Sequence, residues 1–463
     1  MQYQPQAPIP PTVEIIVSRV INLNKLFFDG GNPYRHVVDQ YFKPISEGEA
    51  YQIIISTMTK DEIIATSSNM IPEVYKRLQM LPQLRLDMEK CFNEQQNLLN
   101  LKNGICDIFT HGMVYGTNIE FRFDYQYDFS YMKGRTLDNA PNFKHYLETS
   151  VGKPNIKCFL RVLAYIISSL TEAKKAFFFI GDGNTGKSMM LDIIEMVMGE
   201  DVVSSEPFET LGNEQARANF QGKRLNISRE AKRSILRNEA AFKSLVANEK
   251  ITGRKLYKNG ITFTPHIKFV VASNQPVEFK NPDDALYDRM VIIFFHSTLS
   301  PEQLDRDLKN KLWKERDVIF SLAMDTLPDL IDSGYDFKMS EESLNYLHAC
   351  KNQLHTVEDF LAERCEISEH AEIPTSVLHE AYLKFCRRND YEPVGRNTFY
   401  DQIKWYGGSG ISRIKTHDKD GIRVQGFSGI KLKKVIEQDA KQEQGETSDS
   451  SDSSPQRLAR PPP

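Results

Sequence analysis

Residues 176–190 read AFFFIGDGNTGKSMM: an apolar run, a glycine-rich turn carrying a lysine and a serine, then apolar residues again. The turn fits G-x-x-x-x-G-K-[ST] with Gly181, Gly186, Lys187 and Ser188. Average residue frequencies put a chance match at about one in 30,000 per window. The flanks suit the motif, since Phe177 to Ile180 predict a buried strand and SMMLDIIEMVM predicts a helix. Glycines let backbone N–H groups wrap phosphates, and a helix N-terminus adds a favourable dipole. In this reading Lys187 reaches the β/γ-phosphates and Ser188 offers its hydroxyl to Mg²⁺, with Asp182, Gly183, Asn184 and Thr185 completing the loop. The expectation is a nucleotide site for ATP and Mg²⁺.

At 463 residues the chain is long enough for two to four domains. Its net charge of −4 neither demands nor forbids a polyanionic partner, so only local clustering can argue for one. Six scattered cysteines without a CxxC or zinc spacing read as free thiols of a reducing compartment. The polar, proline-rich start MQYQPQAPIPPTVE is no secretory signal, and no run of about 18 apolar residues suggests a membrane span. The expectation is a protein of the cytoplasm with no membrane partner.

The chain divides by pattern into a flexible lead (1–12), a mixed, largely helical segment (13–150), an α/β segment with a helical extension (151–352), a small basic module (353–435) and a tail (436–463). The tail, Ser-rich, acidic and Pro-ended, lacks the apolar residues to pack and reads as disordered. In the α/β segment the runs FFFI, RLNIS, IKFVVAS and RMVIIFF alternate with helical or looped stretches, which predicts a parallel sheet.

Three residues follow the phosphate loop in an informative order. Glu230 comes just after the RLNIS strand, where a carboxylate beside the phosphate-loop strand would hold Mg²⁺ or polarise a water. Alone, it reads more readily as an exposed residue opening a helix at Ala231. Asn274 ends the strand of HIKFVVASNQP, where an amide can position water against a γ-phosphate or simply shape a turn. Arg289 precedes RMVIIFF and suits either a guanidinium aimed at developing phosphate charge or an ion pair with Asp288 or Asp284. Lys187, Glu230, Asn274 and Arg289 in this order form the candidate catalytic set, with Ser188 and Glu230 toward the metal.

Two features point to nucleic acid. Between Glu230 and Asn274, the dipeptide Asn259-Gly260 predicts a tight hairpin in KITGRKLYKNGITFTP, with Arg254, Lys255, Tyr257 and Lys258 crowding it. A solvated hairpin with surface lysines is the plainer alternative. Downstream, TSVLHEAYLKFCRRN has an apolar stripe at Leu378, Tyr382 and Phe385, and NTFYDQIKWYG repeats it at Phe399, Ile403 and Tyr406 with Asn397 as N-cap. RIKTHDKDGIRVQGF then reads as a hairpin turning at Asp420-Gly421. Three helices and a hairpin predict a winged helix, and between Lys384 and Lys434 there are 12 Lys/Arg against 5 Asp/Glu. Arg396 and Lys404 would face DNA, unless the module binds protein.

GDGNTGKS, GKRLNISREA, KITGRKLYKNGITFTP, KFVVASNQP and ALYDRMVIIFF, in that order, resemble the superfamily 3 helicases of viruses, phages and plasmids. The nearest group is the phage/plasmid primase–helicase family with its poxvirus-type members. NLLNLKNGICDIFTHG and NFKHYLETSVGKPNIKCFLRVLAYIISSL upstream are similar to that family's preceding helical domain, and VEDFLAERCEI with LHEAYLKFCRRNDYEPVGRNTFYDQI downstream to its winged helix. The resemblance implies an α/β AAA+ P-loop ATPase core with an α-rich N-terminal domain and a C-terminal winged helix. It implies a homo-hexameric ring moving 3′→5′ on single-stranded DNA, with Asn274 as sensor, Arg289 as a finger reaching a neighbour's ATP, and the Arg254–Lys258 hairpin as the pore loop. Duplex origin DNA would be read by the winged helix. Relatives with a primase carry it in a large N-terminal domain; the segment before this core offers no paired-carboxylate metal site, so priming comes from a separate protein or does not occur. Glu230 is a single acid where two adjacent ones are common, which bears on Mg²⁺. The alternative activity is a DNA-binding initiator or loader ATPase without processive unwinding.

Overall fold

Phe177, Phe178 and Phe179 are completely buried because they sit in the second of five parallel strands. The computed structural model describes residues 10–37, 40–114, 121–230, 235–236, 238–254, 260–279, 282–296, 305–389, 391–406 and 410–433. Helix α1 (Ile156–Ile167) leads toward strand β1 (Ala176–Ile180), which is followed by α2 (Lys187–Met198) and β2 (Val203–Ser204). Next come β3 (Leu225–Ser228), the antiparallel pair β4 (Ile251–Arg254) and β5 (Gly260–Phe263), then β6 (Lys268–Ser273) and β7 (Met290–Phe294). The main sheet has the order β7-β1-β6-β3-β2, and every pairing in it is parallel. All four apolar runs marked as strands in the sequence lie in it.

Alternation along β1 explains why this sheet is covered on both faces. Phe177 and Phe179 pack on one side with Tyr165, Phe337 and Phe159. Phe178 points to the other, edge-on to Phe208, which in turn meets Phe242. Each phenylalanine removed from water contributes roughly 1.5–3 kcal/mol, so this one strand anchors two apolar layers.

Upstream, the chain mixes strands and helices, as its sequence pattern suggests, rather than being α-rich as the resemblance implies. Residues Tyr41–Pro44, Asn32–Val37, Leu26–Asp29 and Arg85–Leu86 form a four-stranded sheet in that order. Helices Val13–Leu23, Glu47–Ile55 and Met70–Met80 share its core through Ile16, Val20, Ile54, Val74 and Leu78. The expectation of an α-rich domain therefore gives way to a mixed one. The sheet escapes sequence patterning because its strands are short and Phe28 pairs with distant Arg85.

Two compact units divide the chain: Met1–Lys280 with Arg289–Ser343, and Asn281–Asp288 with Leu344–Pro463. The described part of the second holds α3 (Glu341–Arg364), β8 (Cys365–Pro374), α4 (Thr375–Arg388), α5 (Arg396–Tyr406), β9 (Ser412–His417) and β10 (Arg423–Leu432). The antiparallel sheet order is β8-β10-β9. Leu378, Tyr382, Phe385, Phe399 and Ile403 are buried as their spacing predicts, with Tyr382 stacked on Phe399 at 4.4 Å. The Tyr406 side chain lies outside what is described. Gly421 takes φ 76° in the turn between His417 and Arg423, as Asp420-Gly421 predicts. Strand β8 is an addition to the expected helices and hairpin. Asn397 lies inside α5 rather than at its cap, because the first helical bond runs from Phe399 N to Gly395 O.

All six cysteines are free. Among the described residues no helix is long and apolar enough to cross a membrane, and no group of three metal-ligating side chains stands together.

Candidate nucleotide-binding site

Strand β1 ends at Ile180, and the chain turns through Gly181–Gly186 into α2. Both motif glycines are required by close approach. A Cβ on Gly181 would sit 2.1 Å from the Phe295 backbone oxygen. One on Gly186 (φ 93°) would lie 2.8 Å from Ser150 Oγ and 3.1 Å from Tyr146. Asn184 takes the left-handed conformation at φ 60°, which short polar side chains tolerate best after glycine. Asp182, Gly183, Asn184 and Ser188 are exposed, whereas Thr185 and Lys187 are buried.

The loop holds its own lysine. Lys187 Nζ donates to the carbonyl oxygens of Gly181 and Asp182 (the latter at 2.7 Å) and to Thr185 Oγ1 at 3.0 Å. Thr185 Oγ1 donates to Asp182 O at 2.9 Å. Burial pushes the Lys187 ammonium below its ordinary pKa. A phosphate entering the cradle would replace those carbonyls as acceptors and restore a full opposite charge. With the glycines, the α2 N-terminus and a buried ammonium, the residues present fit a triphosphate.

The parallel register decides which other candidates join this loop. Ser273 lies opposite Ile180 and its carbonyl accepts from Gly181 N at 3.2 Å, so exposed Asn274 sits directly beside the loop. Ser228 is in register with Val271, so exposed Glu230 leaves the same carboxyl edge of the sheet. However, β3 is not the neighbour of β1: β6 lies between them, so the strand bearing the acid is one place further away than expected. Ligands of open parallel sheets gather at this edge.

Arg289 lies at the opposite edge. Its carbonyl accepts from Ala176 N at 2.8 Å, at the start of β1, while the loop begins five residues later. At roughly 3.3 Å per residue that is about 16 Å along the strand, farther than an arginine side chain reaches. Arg289 does not join the loop of its own chain.

Several site residues carry no sequence signal. The chain enters the core through the helix Pro141–Tyr146 and a π-helical turn, Leu147–Val151, a form that clusters at functional sites. These bring Tyr146 and Ser150 onto Gly186, with Tyr146 Oη donating to Gly186 O at 3.4 Å. Asn155 Nδ2 bridges Val151 O and Phe294 O, both at 3.1 Å. Arg229, next to Glu230, bonds Asp192 Oδ1 at 2.6 Å and also Glu195, both on α2. Lys309 takes the other Asp192 oxygen at 2.9 Å. Only packing reveals these contacts.

The expected nucleic-acid residues are spread over both units. Arg254 is exposed at the end of β4, while Lys255, Tyr257 and Lys258 lie outside the described residues. The expected hairpin is present, with β4 antiparallel to β5 and Gly260 paired with Arg254; residues 255–259 between them lie outside the described residues. Gly253 in β4 passes so close to Ala218 N that a Cβ would be 2.5 Å away. In the second unit Arg396 and Lys404 are exposed on α5.

A glycine cradle between a central parallel strand and a helix is the arrangement of a P-loop-like α/β core. Residues 179–289 match a family of unknown function (DUF5906), and residues 355–425 match the Poxvirus D5 protein-like family. A putative helicase V13 of the Sputnik virophage is 22% identical over 438 residues, covering 86% of this chain and 53% of that protein. A putative helicase L207/L206 of Acanthamoeba polyphaga mimivirus is 23% identical over 241 residues, covering 48% and 25%. The chain thus spans about half the length, or less, of these curated relatives. The apo structure of the NrS-1 C-terminal region aligns over 92% of this chain and 100% of its own, at 12% identity and TM-score 0.49. These two segment matches and the helicase-named viral relatives make the chain similar to phage- and poxvirus-type primase–helicases.

Proposed function

We propose that this chain is the motor of a viral or mobile-element DNA helicase: a superfamily 3 AAA+ ATPase that binds ATP and Mg²⁺ and moves 3′→5′ on single-stranded DNA as a hexameric ring. One observation carries the reading. The phosphate loop, Asn274 and Glu230 share one edge of the sheet, while Arg289 lies about 16 Å away at the other. In this reading Arg289 does not serve the triphosphate of its own chain but completes a neighbour's site, which requires an oligomer.

In this reading the loop N–H groups and Lys187 hold the phosphates, Ser188 and Glu230 face the metal, and Asn274 orients the attacking water. Mg²⁺ supplies charge neutralisation when bound. Arg289 meets the charge that develops on a neighbouring subunit's γ-phosphate. The hairpin beginning at Arg254, with Lys255, Tyr257 and Lys258, grips the strand. The second unit is a winged helix whose Arg396 and Lys404 contact duplex origin DNA. The host cytoplasm is the site of action.

The test is ATP hydrolysis with and without single-stranded DNA, together with strand displacement on a fork. Stimulated hydrolysis and unwinding are expected. Hydrolysis indifferent to DNA overturns the helicase reading, and DNA-dependent hydrolysis without unwinding favours an initiator or loader.

A further inference from the structure

Trp405 is 81% exposed, the largest exposure among the described large apolar side chains. The buried side of α5 is set by Phe399 and Ile403. At about 100° per residue, Trp405 lies some 200° around the helix from Ile403. It is therefore no fraying fragment of the core. A solvated indole forgoes one of the largest burial gains a side chain can make, which makes its use at a binding surface the better account.

The stretch of chain that carries Trp405 is cationic, although strand β8 of the same sheet brings Glu366 to Lys431 and Glu372 to Thr416. Between Arg396 and Lys433 there are eight Lys/Arg and three Asp, with no Glu. Two of those acids are already engaged. Asp401, one turn before Trp405, faces the Arg413 guanidinium at 3.8 Å, and Asp418 accepts from Asp420 N and Ile422 N in the hairpin turn. Arg413 also lies over the Tyr400 ring at 5.3 Å, which holds its half-exposed guanidinium against α5. Lys404 is exposed next to Trp405. Cross-strand pairing sets exposed Lys415 and His417 on the same strand face as Arg413, with Arg423 opposite His417.

Cations suit phosphates, but an indole has a different partner. In paired duplex the faces of the bases are covered by their neighbours and only the edges are open. An indole presents two π faces and one N–H, which match the uncovered face of an unpaired base. We propose that Trp405 is a stacking platform for an unpaired base, on a strand whose phosphates are held by Lys404 and Arg413. This rests on reading the second unit as a nucleic-acid binder and adds what it takes: single-stranded or unpaired nucleotides, not only duplex.

The chain has two tryptophans, and Trp313 is only partly buried beside Arg316, so the full-length Trp313→Phe protein reports Trp405 alone. Titration with a dT20 oligonucleotide should quench this fluorescence, and a blunt 20-base-pair duplex should leave it nearly unchanged. In a separate anisotropy measurement with labelled dT20, Trp405→Ala should bind about tenfold more weakly, with Trp405→Phe in between. Equal quenching by the blunt duplex overturns the unpaired-base assignment while leaving the surface as a nucleic-acid binder. Unchanged dT20 affinity in Trp405→Ala, with affinity lost in Arg396→Ala/Lys404→Ala, overturns the stacking role alone. Silence of Trp405 with no effect of either variant overturns the nucleic-acid reading of the second unit as well. A blue shift that grows with protein concentration and needs no oligonucleotide assigns Trp405 to a protein interface and overturns the proposal.

Discussion

Arg229 reaches back from the end of β3 to Asp192 on α2, Nη1 to Oδ1 at 2.6 Å, and pairs with Glu195 one turn further along. The residue before Glu230 is thereby tied to the helix that Lys187 begins. Two partly buried carboxylates holding one guanidinium fix direction more than they add stability. Arg229→Ala should therefore leave ATP affinity within about twofold and lower turnover by about tenfold, one tenfold step being about 1.4 kcal/mol of barrier. Equal turnover in the variant and the parent would remove Arg229 from the positioning of Glu230.

Lys187 is buried among three oxygen acceptors that a phosphate would displace. ATP with Mg²⁺ at a hundred times its Kd should add about 2.7 kcal/mol to the stability of the parent chain. Lys187→Ala should lose most of that gain in a denaturant titration. A variant stabilised as much as the parent would show that the loop does not take the nucleotide.

Gly181 admits no side chain. The added methyl of Gly181→Ala meets the Phe295 backbone oxygen, just after β7, at 2.1 Å, which cannot move without disturbing the pairing of Phe294 with Ile180. The expected loss is at least about 3 kcal/mol. Soluble protein with an unshifted urea midpoint would contradict it. Gly183→Ala, where nothing lies within 4 Å of the added methyl, is the control.

Arg289→Ala should bind ATP yet hydrolyse it at least about a hundredfold more slowly. Mixing it with Lys187→Ala should restore part of the activity, because Lys187→Ala subunits still present Arg289 to loops that are intact. No recovery in any mixture, with both variants assembled, would end the inter-subunit assignment.

Lys268 starts β6 and is almost fully buried, donating to Ser168 O at 2.5 Å beneath the Tyr165 ring. Burial first, and then nearby Arg224, lowers its pKa from 10.5 to about 7, with Glu172 opposing. The unfolded chain therefore binds one proton more than the folded chain between about pH 7 and 10.5, so stability should rise with pH across that window. Relative to Lys268→Met, the parent should gain about 1.4 kcal/mol per pH unit from pH 7 to 9. Parallel pH profiles of the urea midpoint would contradict this.

The sequence makes the cradle legible because its chemistry needs contiguous residues: one strand, one turn, one lysine, one helix. The four parallel strands are legible for a related reason, since burial on both faces leaves continuous apolar runs such as Phe177–Ile180 and Phe269–Ala272. What escapes is set by pairing at a distance. Nothing local says that β6 separates β3 from β1, that Tyr146 and Ser150 cover Gly186, or that Arg229 turns to Asp192. The Asn259-Gly260 signal marks the hairpin of β4 and β5, whose pairing runs to Arg254 and Gly260. Asn397 fails as a cap because Gly395 already supplies the first helical acceptor.

Glu315 accepts hydrogen bonds from Asn142 N, Asn142 Nδ2 and Phe143 N, pinning the start of the short helix that ends at Tyr146. That helix and the π-helical turn after it bear directly on Gly186, so the cradle has a lever resting against its back. The added bulk that Gly186 excludes would fall on Tyr146 and Ser150, so the shape of the cradle depends on a segment anchored through Glu315 and not on the sheet alone.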